Sequence, residues 1–169
     1  PGAGTPDSFI EWFRFTFPEV IISDREIRDD TDIERRVNLT VLRGLRNDVE
    51  IYRCRDLIDK TPHYQQYLAK ANRLKDKYSP LLLEGTYRDT EGFNLDNHSM
   101  NASCFINGNR MAVIATQCNA RSVSGTIDVP GYRYIESDIL GSGNIKAGSQ
   151  GKQNITLGEN GLIVMIFEK

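Results

Sequence analysis

The residues able to do chemistry in this 169-residue chain fall into a few groups, and their spacing decides what each can be. From Asp24 to Glu34 the run Asp-Arg-Glu-Ile-Arg-Asp-Asp-Thr-Asp-Ile-Glu concentrates carboxylates ahead of an apolar segment at helical spacing. Acids in a first helical turn complement the helix dipole, so a solvated loop leading into a helix explains the run. Arg53 and Arg55 follow a short strand-like segment; guanidinium groups there can clamp hydroxyls or a carboxylate, or pair with Glu50 and Asp56. His63 follows Thr61-Pro62 and reads as a first-turn surface residue, and His98 stands in a polar stretch without a partner at metal spacing. Cys54, Cys104 and Cys118 form neither a Cys-x-x-Cys pair nor a Cys/His set, and read as buried thiols; no metal and no cofactor is expected. Gly141-Ser142-Gly143 lacks the following helix N-terminus on which phosphate binding depends. Tyr132 and Tyr134 share one strand face, as a stacking platform or as core. Four Asn-x-Ser/Thr triplets, at Asn38, Asn97, Asn101 and Asn154, are weak signals in an Asn-rich chain.

These residues must be held by elements that the pattern of apolar residues predicts. Residues 9–23 are aromatic and β-branched, with Phe13, Phe15 and Phe17 at period two, which predicts extended structure broken at Pro18 and resumed by Val20-Ile21-Ile22. Thr31 and Glu34 have the spacing of a capping box, and Ile33, Val37, Val41, Leu42 and Leu45 form an apolar stripe, so a helix is expected over 31–45. Val49 to Cys54 alternates as a short strand. Thr61 as N-cap and Pro62 at the first helical position start a second helix, with Tyr64, Tyr67, Leu68, Ala71, Leu74 and Tyr78 as its buried stripe. Strand, helix, strand, helix with short connections is the order of βα units in a parallel sheet. From about residue 100 the period changes to two. Residues 102–106, 110–117, 123–129, 132–139, 153–157 and 162–167 alternate with Gly, Asn and Pro turns, the mark of an antiparallel sandwich.

Composition divides in the same place. Residues 1–95 hold 15 Lys+Arg, 17 Asp+Glu and 5 Gly, whereas residues 96–169 hold 6 of each sign and 9 Gly. The net charge of -2 removes the electrostatic case for a nucleic-acid or anionic-membrane partner, and no run of about 18 apolar residues exists to span a bilayer. Pro1-Gly2-Ala3-Gly4-Thr5-Pro6 has neither a basic nor an apolar signal region, and residues 1–8 read as a linker or cut end, leaving localisation open. Two βα units cannot close a barrel, and a parallel sheet needs both faces covered, so the front region looks incomplete.

Phe13-Arg14-Phe15-Thr16-Phe17-Pro18-Glu19-Val20-Ile21-Ile22, followed by Leu42-Arg43-Gly44-Leu45-Arg46-Asn47-Asp48-Val49-Glu50, resembles the last βα units of a (β/α)8-barrel glycoside hydrolase. The Val129-Pro130-Gly131-Tyr132 turn and the closing Leu162-Ile163-Val164-Met165-Ile166-Phe167 are similar to the all-β domain that follows such barrels in α-galactosidase-like and related enzymes. The resemblance implies an α/β fragment, the last βα units of a TIM-like barrel, in residues 9–95, followed by an all-β antiparallel sandwich in 96–169. Barrel strands seven and eight would lie in 9–23 and 49–54.

Function in such barrels sits at the C-terminal ends of the strands. The resemblance therefore implies substrate contacts from Asp24, Arg25, Asp30 and Arg53 to a carbohydrate. Glycoside hydrolysis needs two flanking carboxyl groups; in these enzymes they usually lie on middle strands, which would precede residue 1, so no catalytic residue is assigned. The implied partner is the missing N-terminal part of the same enzyme, without which this chain should be inactive. The competing expectation is a non-catalytic carbohydrate-binding or interaction module, with the helices packed on the sandwich as one α+β unit.

Overall fold

The computed structural model describes residues 11–27, 30–51, 57–118 and 121–169. Residues 1–8, expected as a linker, lie outside them, as do Arg53, Cys54 and Arg55. The first described element is a helix, α1 (Glu11–Thr16), where an extended segment is expected. Its period-two phenylalanines also satisfy helical spacing. Phe13 and Phe17 stack four residues apart with ring centroids 5.2 Å apart, the Phe17 amide donates to the Phe13 carbonyl, and Thr16 Oγ1 donates to the Trp12 carbonyl. Pro18 ends the turn, and the strand begins only afterwards, at β1 (Ser23–Ile27).

Next come α2 (Ile33–Leu42) and β2 (Arg46–Ile51), so the first βαβ unit is real but its strands sit at 23–27 and 46–51 rather than 9–23 and 49–54. β1 and β2 pair in parallel, Ser23 opposite Arg46, Asp24 opposite Asn47 and Arg25 opposite Asp48. The expected stripe of α2 is buried at Ile33, Val37, Val41 and Leu42, with Leu45 just beyond. Its start differs from the capping box: Asp32 is the N-cap, in the left-handed region at φ 54°, and Glu34 instead pairs with His63 at 2.7 Å. A 3-10 turn (Ile58–Lys60) leads to α3 (Pro62–Lys77) and the short α4 (Ser79–Leu82). α3 buries the stripe that its sequence predicts, Tyr64, Tyr67, Leu68, Ala71 and Leu74, with Tyr78 at its end. No helix among the described residues is long and apolar enough to cross a membrane.

The remaining chain forms nine strands: β3 (Thr86–Tyr87), β4 (Asn94–Leu95), β5 (Asn101–Asn107), β6 (Arg110–Thr116), β7 (Val123–Asp128), β8 (Arg133–Leu140), β9 (Gly143–Ala147), β10 (Lys152–Leu157) and β11 (Leu162–Glu168). They make two antiparallel sheets, of order β3-β5-β6-β11-β8 and β4-β7-β10-β9. β3, β4 and β9 lack any alternating apolar pattern long enough to announce them. The first two draw residues 86–95 into the sheets, upstream of the division expected at 96.

The two sheets face one another across a core that includes Cys104, Met111, Val113, Ile127, Ile155, Leu157, Met165 and Phe167. The opposite face of the five-stranded sheet is also buried. Phe105, Ile114, Val164 and Ile166 pack there against α2, α3 and α4 through Val37, Val41, Tyr64, Leu68 and Leu81. Every residue of β11 from Leu162 to Phe167 is therefore without solvent exposure. At about 1.5–3 kcal/mol for each fully buried large aliphatic or aromatic side chain, this shared wall outweighs any single polar contact in the molecule. The polar contacts fix register instead: Ser103 Oγ donates to the Leu42 carbonyl, Asn107 Nδ2 to the Pro80 carbonyl at 2.7 Å, and Tyr78 OH to Asp138 at 2.9 Å.

Candidate functional site

The C-terminal ends of β1 and β2 are where the barrel resemblance places function. Asp24 and Arg25, expected just past the C-terminal end of a strand over 9–23, instead occupy the second and third positions of β1, because the strand begins only after Pro18 and its turn. Asp24 is half-buried there, and its register mate Asn47 points to the helical side, where Asn47 Nδ2 donates to Thr40 Oγ1 at 3.2 Å. Burial pushes the Asp24 carboxyl above the usual carboxylate range, while Arg36 and Arg43 pull it back. The Tyr64 phenol, buried beneath the same strands, is pushed up to about 12 by burial and by the nearby Asp24 and Asp48 charges. Asp24 thus belongs to a charged cluster between strand and helices. Arg25 occupies the next position of β1, opposite Asp48. Arg53 lies outside the described residues.

Asp30 has a defined task. Its Oδ2 accepts the His63 amide at 3.0 Å and its Oδ1 the Tyr64 amide at 2.7 Å, so it caps the start of α3 from 33 residues away. A carboxylate at a helix N-terminus satisfies orphan amides and meets the positive end of the dipole. Thr61, the expected cap, makes no such bond; its Oγ1 donates backward to the Ile58 carbonyl at 3.0 Å. Nothing local in the sequence signals this exchange, because the capping residue comes from another loop.

Two polar groups missed by sequence reasoning stand out behind this edge. Lys75 is buried, donates to the Leu45 carbonyl at 2.9 Å and to Asn47 Oδ1 at 2.8 Å, and is pushed down to about 8 by burial and then by Arg46, with Asp76 opposing. It joins α3 to β2. Asn38, fully buried on α2, accepts from Tyr67 OH at 2.9 Å and donates to the Asn160 carbonyl at 2.7 Å, joining both helices to the β10–β11 turn. A lysine and an asparagine on apolar helix faces are the only sequence trace of either network.

Two cavities flank these networks. One, of about 520 Å³, is lined by Glu34, His63, Tyr67, Lys70, Glu159 and Asn160, above the start of α3. The other, of about 400 Å³, lies at the N-terminal ends of β1 and β2 beside Arg14 and Arg46. Tyr132, just before β8, and Tyr134 within it are not an open platform: both rings pack against the core between the sheets, Tyr134 meeting Phe167 edge-on at 5.8 Å. Among the described residues no group of three or more His, Cys, Asp or Glu is placed to hold a metal ion.

No protein-family model matches the sequence, and no curated protein matches it. Solved structures do. A GH30 endoxylanase from Clostridium papyrosolvens matches 100% of this chain and 47% of its own, with a TM-score of 0.56 at 11% identity. A glycoside hydrolase family 30 subfamily 8 xylanase from Clostridium acetobutylicum matches 89% of this chain and 42% of its own, at a TM-score of 0.44 and 11% identity. An Anoxybacillus alpha-amylase matches 64% of this chain and 23% of its own, at 0.46 and 19%. The first likeness shows a shared fold, a glycoside hydrolase-like one, and the chain spans about half the length of that endoxylanase, 47%.

Proposed function

We propose that this chain is the C-terminal portion of a carbohydrate-active glycoside hydrolase, contributing one βαβ unit to a (β/α) barrel and the β domain that trails it. What supports this reading is a match to the endoxylanase over the whole chain, combined with one face left bare. Parallel strands are normally covered on both sides. Here Asn47 of β2 is held on one side by α2 through Thr40 and by α3 through Lys75, while Ser23 and Arg46, of the opposite strand parity, are exposed. In the segments flanking β1 and β2, Trp12 is 67% exposed, Ile21 66% and Leu57 70%, with Phe13 and Phe17 also open. Side chains of this kind in contact with water are expected where another part of a fold belongs.

On this reading the remaining barrel strands cover that face and bring the two carboxyl groups that glycoside hydrolysis requires. Substrate contacts from Arg25 and Arg53 remain part of this reading, whereas Asp24, at the start of β1, sits away from the C-terminal strand end and keeps a structural role beside Arg36 and Arg43, as Asp30 does at α3. The experiment joins the chain to the polypeptide encoded immediately upstream and compares it with the chain alone, using xylan and starch as trial substrates. Turnover by the joined protein and none by the chain alone is expected. A chain that binds no hydrophobic dye and shows full hydrogen-exchange protection at β1 and β2 by itself would refute the reading.

A non-catalytic interaction module is favoured by one observation, the core shared between the helices and the five-stranded sheet. That module would pass the dye and exchange test as a finished fold.

A further inference from the structure

The cavity of about 520 Å³ above the start of α3 carries an inference that rests on its lining alone and stands whether or not the chain belongs to a barrel. Segments distant in sequence build it: the first turn of α2 gives Glu34, α3 gives His63, Gln66, Tyr67 and Lys70, and the β8–β9 and β10–β11 turns give Gly141 and Glu159. Its buried member is Tyr67, whose hydroxyl donates to Asn38 and so keeps lone pairs for a second donor. Gly141, at φ +82°, puts no side chain over that hydroxyl; a Cβ there would stand 3.7 Å from it. The wall is tied at one point, where His63 Nε2 meets Glu34 Oε1 at 2.7 Å. Elsewhere opposite charges stay apart. Lys70 and Glu159 line the same cavity, both open to solvent, and among the described residues neither side chain forms a hydrogen bond or an ion pair.

That lining selects against most ligands. Two carboxylates face one ammonium, so an anion meets no attractive field, and a cation meets Lys70 and a Glu34 already engaged by His63. No aliphatic side chain lines the cavity, so an apolar body gains nothing by entering. What the cavity does offer is donors and acceptors together: the carboxylates of Glu34 and Glu159, the amide of Gln66, the ammonium of Lys70 and the phenolic oxygen of Tyr67. An uncharged polyhydroxy molecule matches both kinds, its hydroxyls donating to carboxylates and accepting from the ammonium, and hydrogen bonds to ionised partners are the stronger ones. The volume falls within the range of small-molecule sites. We propose that this cavity binds a neutral mono- or disaccharide, its hydroxyls bridging Lys70 and Glu159 across the gap that keeps them apart.

The test titrates xylobiose and maltose, with glucuronate and glucosamine as charged counterparts, into the nitrogen-15-labelled chain, following the amides of His63, Gln66, Gly141 and Glu159. At least one neutral disaccharide should shift these amides saturably, with a dissociation constant of about 1–10 mM, the range of a few solvent-accessible hydrogen bonds. Both charged sugars should bind at least about threefold more weakly. Glu159→Ala and Lys70→Met each remove one side of the bridge and should weaken binding about fivefold, with the urea midpoint unchanged. Gln65→Ala, on the same helix but outside the lining, should leave binding as it is. No saturable shift with either disaccharide, a charged sugar binding as tightly, saturable shifts confined to other residues, undiminished affinity in both Glu159→Ala and Lys70→Met, or an equal loss in Gln65→Ala would each overturn the proposal. None of these outcomes depends on turnover by the joined protein, so the barrel reading stands or falls separately.

Discussion

Replacing Asp30 by alanine removes both acceptors that hold the first turn of α3, the bonds to the His63 and Tyr64 amides at 3.0 and 2.7 Å. Loss of an N-cap acceptor costs about 0.5–2 kcal/mol, and loss of a carboxylate at a helix N-terminus a further ~0.3–1 kcal/mol. Tyr64, fully buried, carries the first large side chain of α3 into the core, so fraying at this point reaches packing as well as hydrogen bonding. We expect Asp30→Ala to lower unfolding free energy by about 1–3 kcal/mol in urea titration at unchanged m-value. Asp30→Asn, which keeps one acceptor and loses the charge, should cost about half as much. Amide exchange at His63 and Tyr64 should accelerate in both variants, ahead of the rest of α3. Thr61→Ala removes only the bond to Ile58 and should cost less than Asp30→Ala. The reasoning is refuted if Asp30→Ala is neutral to within about 0.3 kcal/mol, below any of the contributions above, or if Thr61→Ala is the more damaging change.

Other consequences follow from single side chains. Lys75 has its folded value near 8, below the unfolded 10.5, so the unfolded chain binds more protons between those limits. Stability should therefore rise between pH 8 and 10.5 by about 2–3 kcal/mol, and urea titrations of Lys75→Met should show that rise removed. Gly44 sits at φ +64°, and a Cβ there would lie 2.6 Å from the Phe105 ring, so Gly44→Ala should cost about 2–4 kcal/mol by thermal or urea unfolding. Tyr67→Phe leaves Asn38 Oδ1 without its buried donor and should cost about 1–2 kcal/mol by the same measurement.

The sequence made the helical stripes legible because burial on one face imposes a spacing that few other arrangements satisfy. Ile33 to Leu45 and Tyr64 to Tyr78 are both buried as that spacing requires. The six longer strands of the sheets were legible for a similar reason, their runs being bounded by Gly, Asn and Pro turns. Where several readings share one pattern the sequence misled. Phe13, Phe15 and Phe17 alternate, yet Phe13 and Phe17 also stand one helical turn apart, and the helix won. Thr31 and Glu34 had capping-box spacing, but the chain turns at Asp32 and Glu34 is drawn to His63. The two-residue strands β3 and β4 exist only because longer neighbours pair with them. The candidate site was least legible of all. Asp30 is committed to a helix distant in sequence, and the burial of Arg14 within an aromatic run has no local sequence signal.

Because β6 and β11 are covered on both faces, the five-stranded sheet is a partition common to two interiors rather than the outer wall of either. Stripping away the helices would set Phe105, Ile114, Val164 and Ile166 against water, and removing β4, β7, β9 and β10 would do the same to Val113, Met165 and Phe167. Neither layer can therefore be transplanted as a portable cassette onto another scaffold. A cut placed by composition alone, near residue 95, would part β3, the partition's edge strand, from its partner β5, clip β4 from the edge of the other sheet, and divide a mechanical whole.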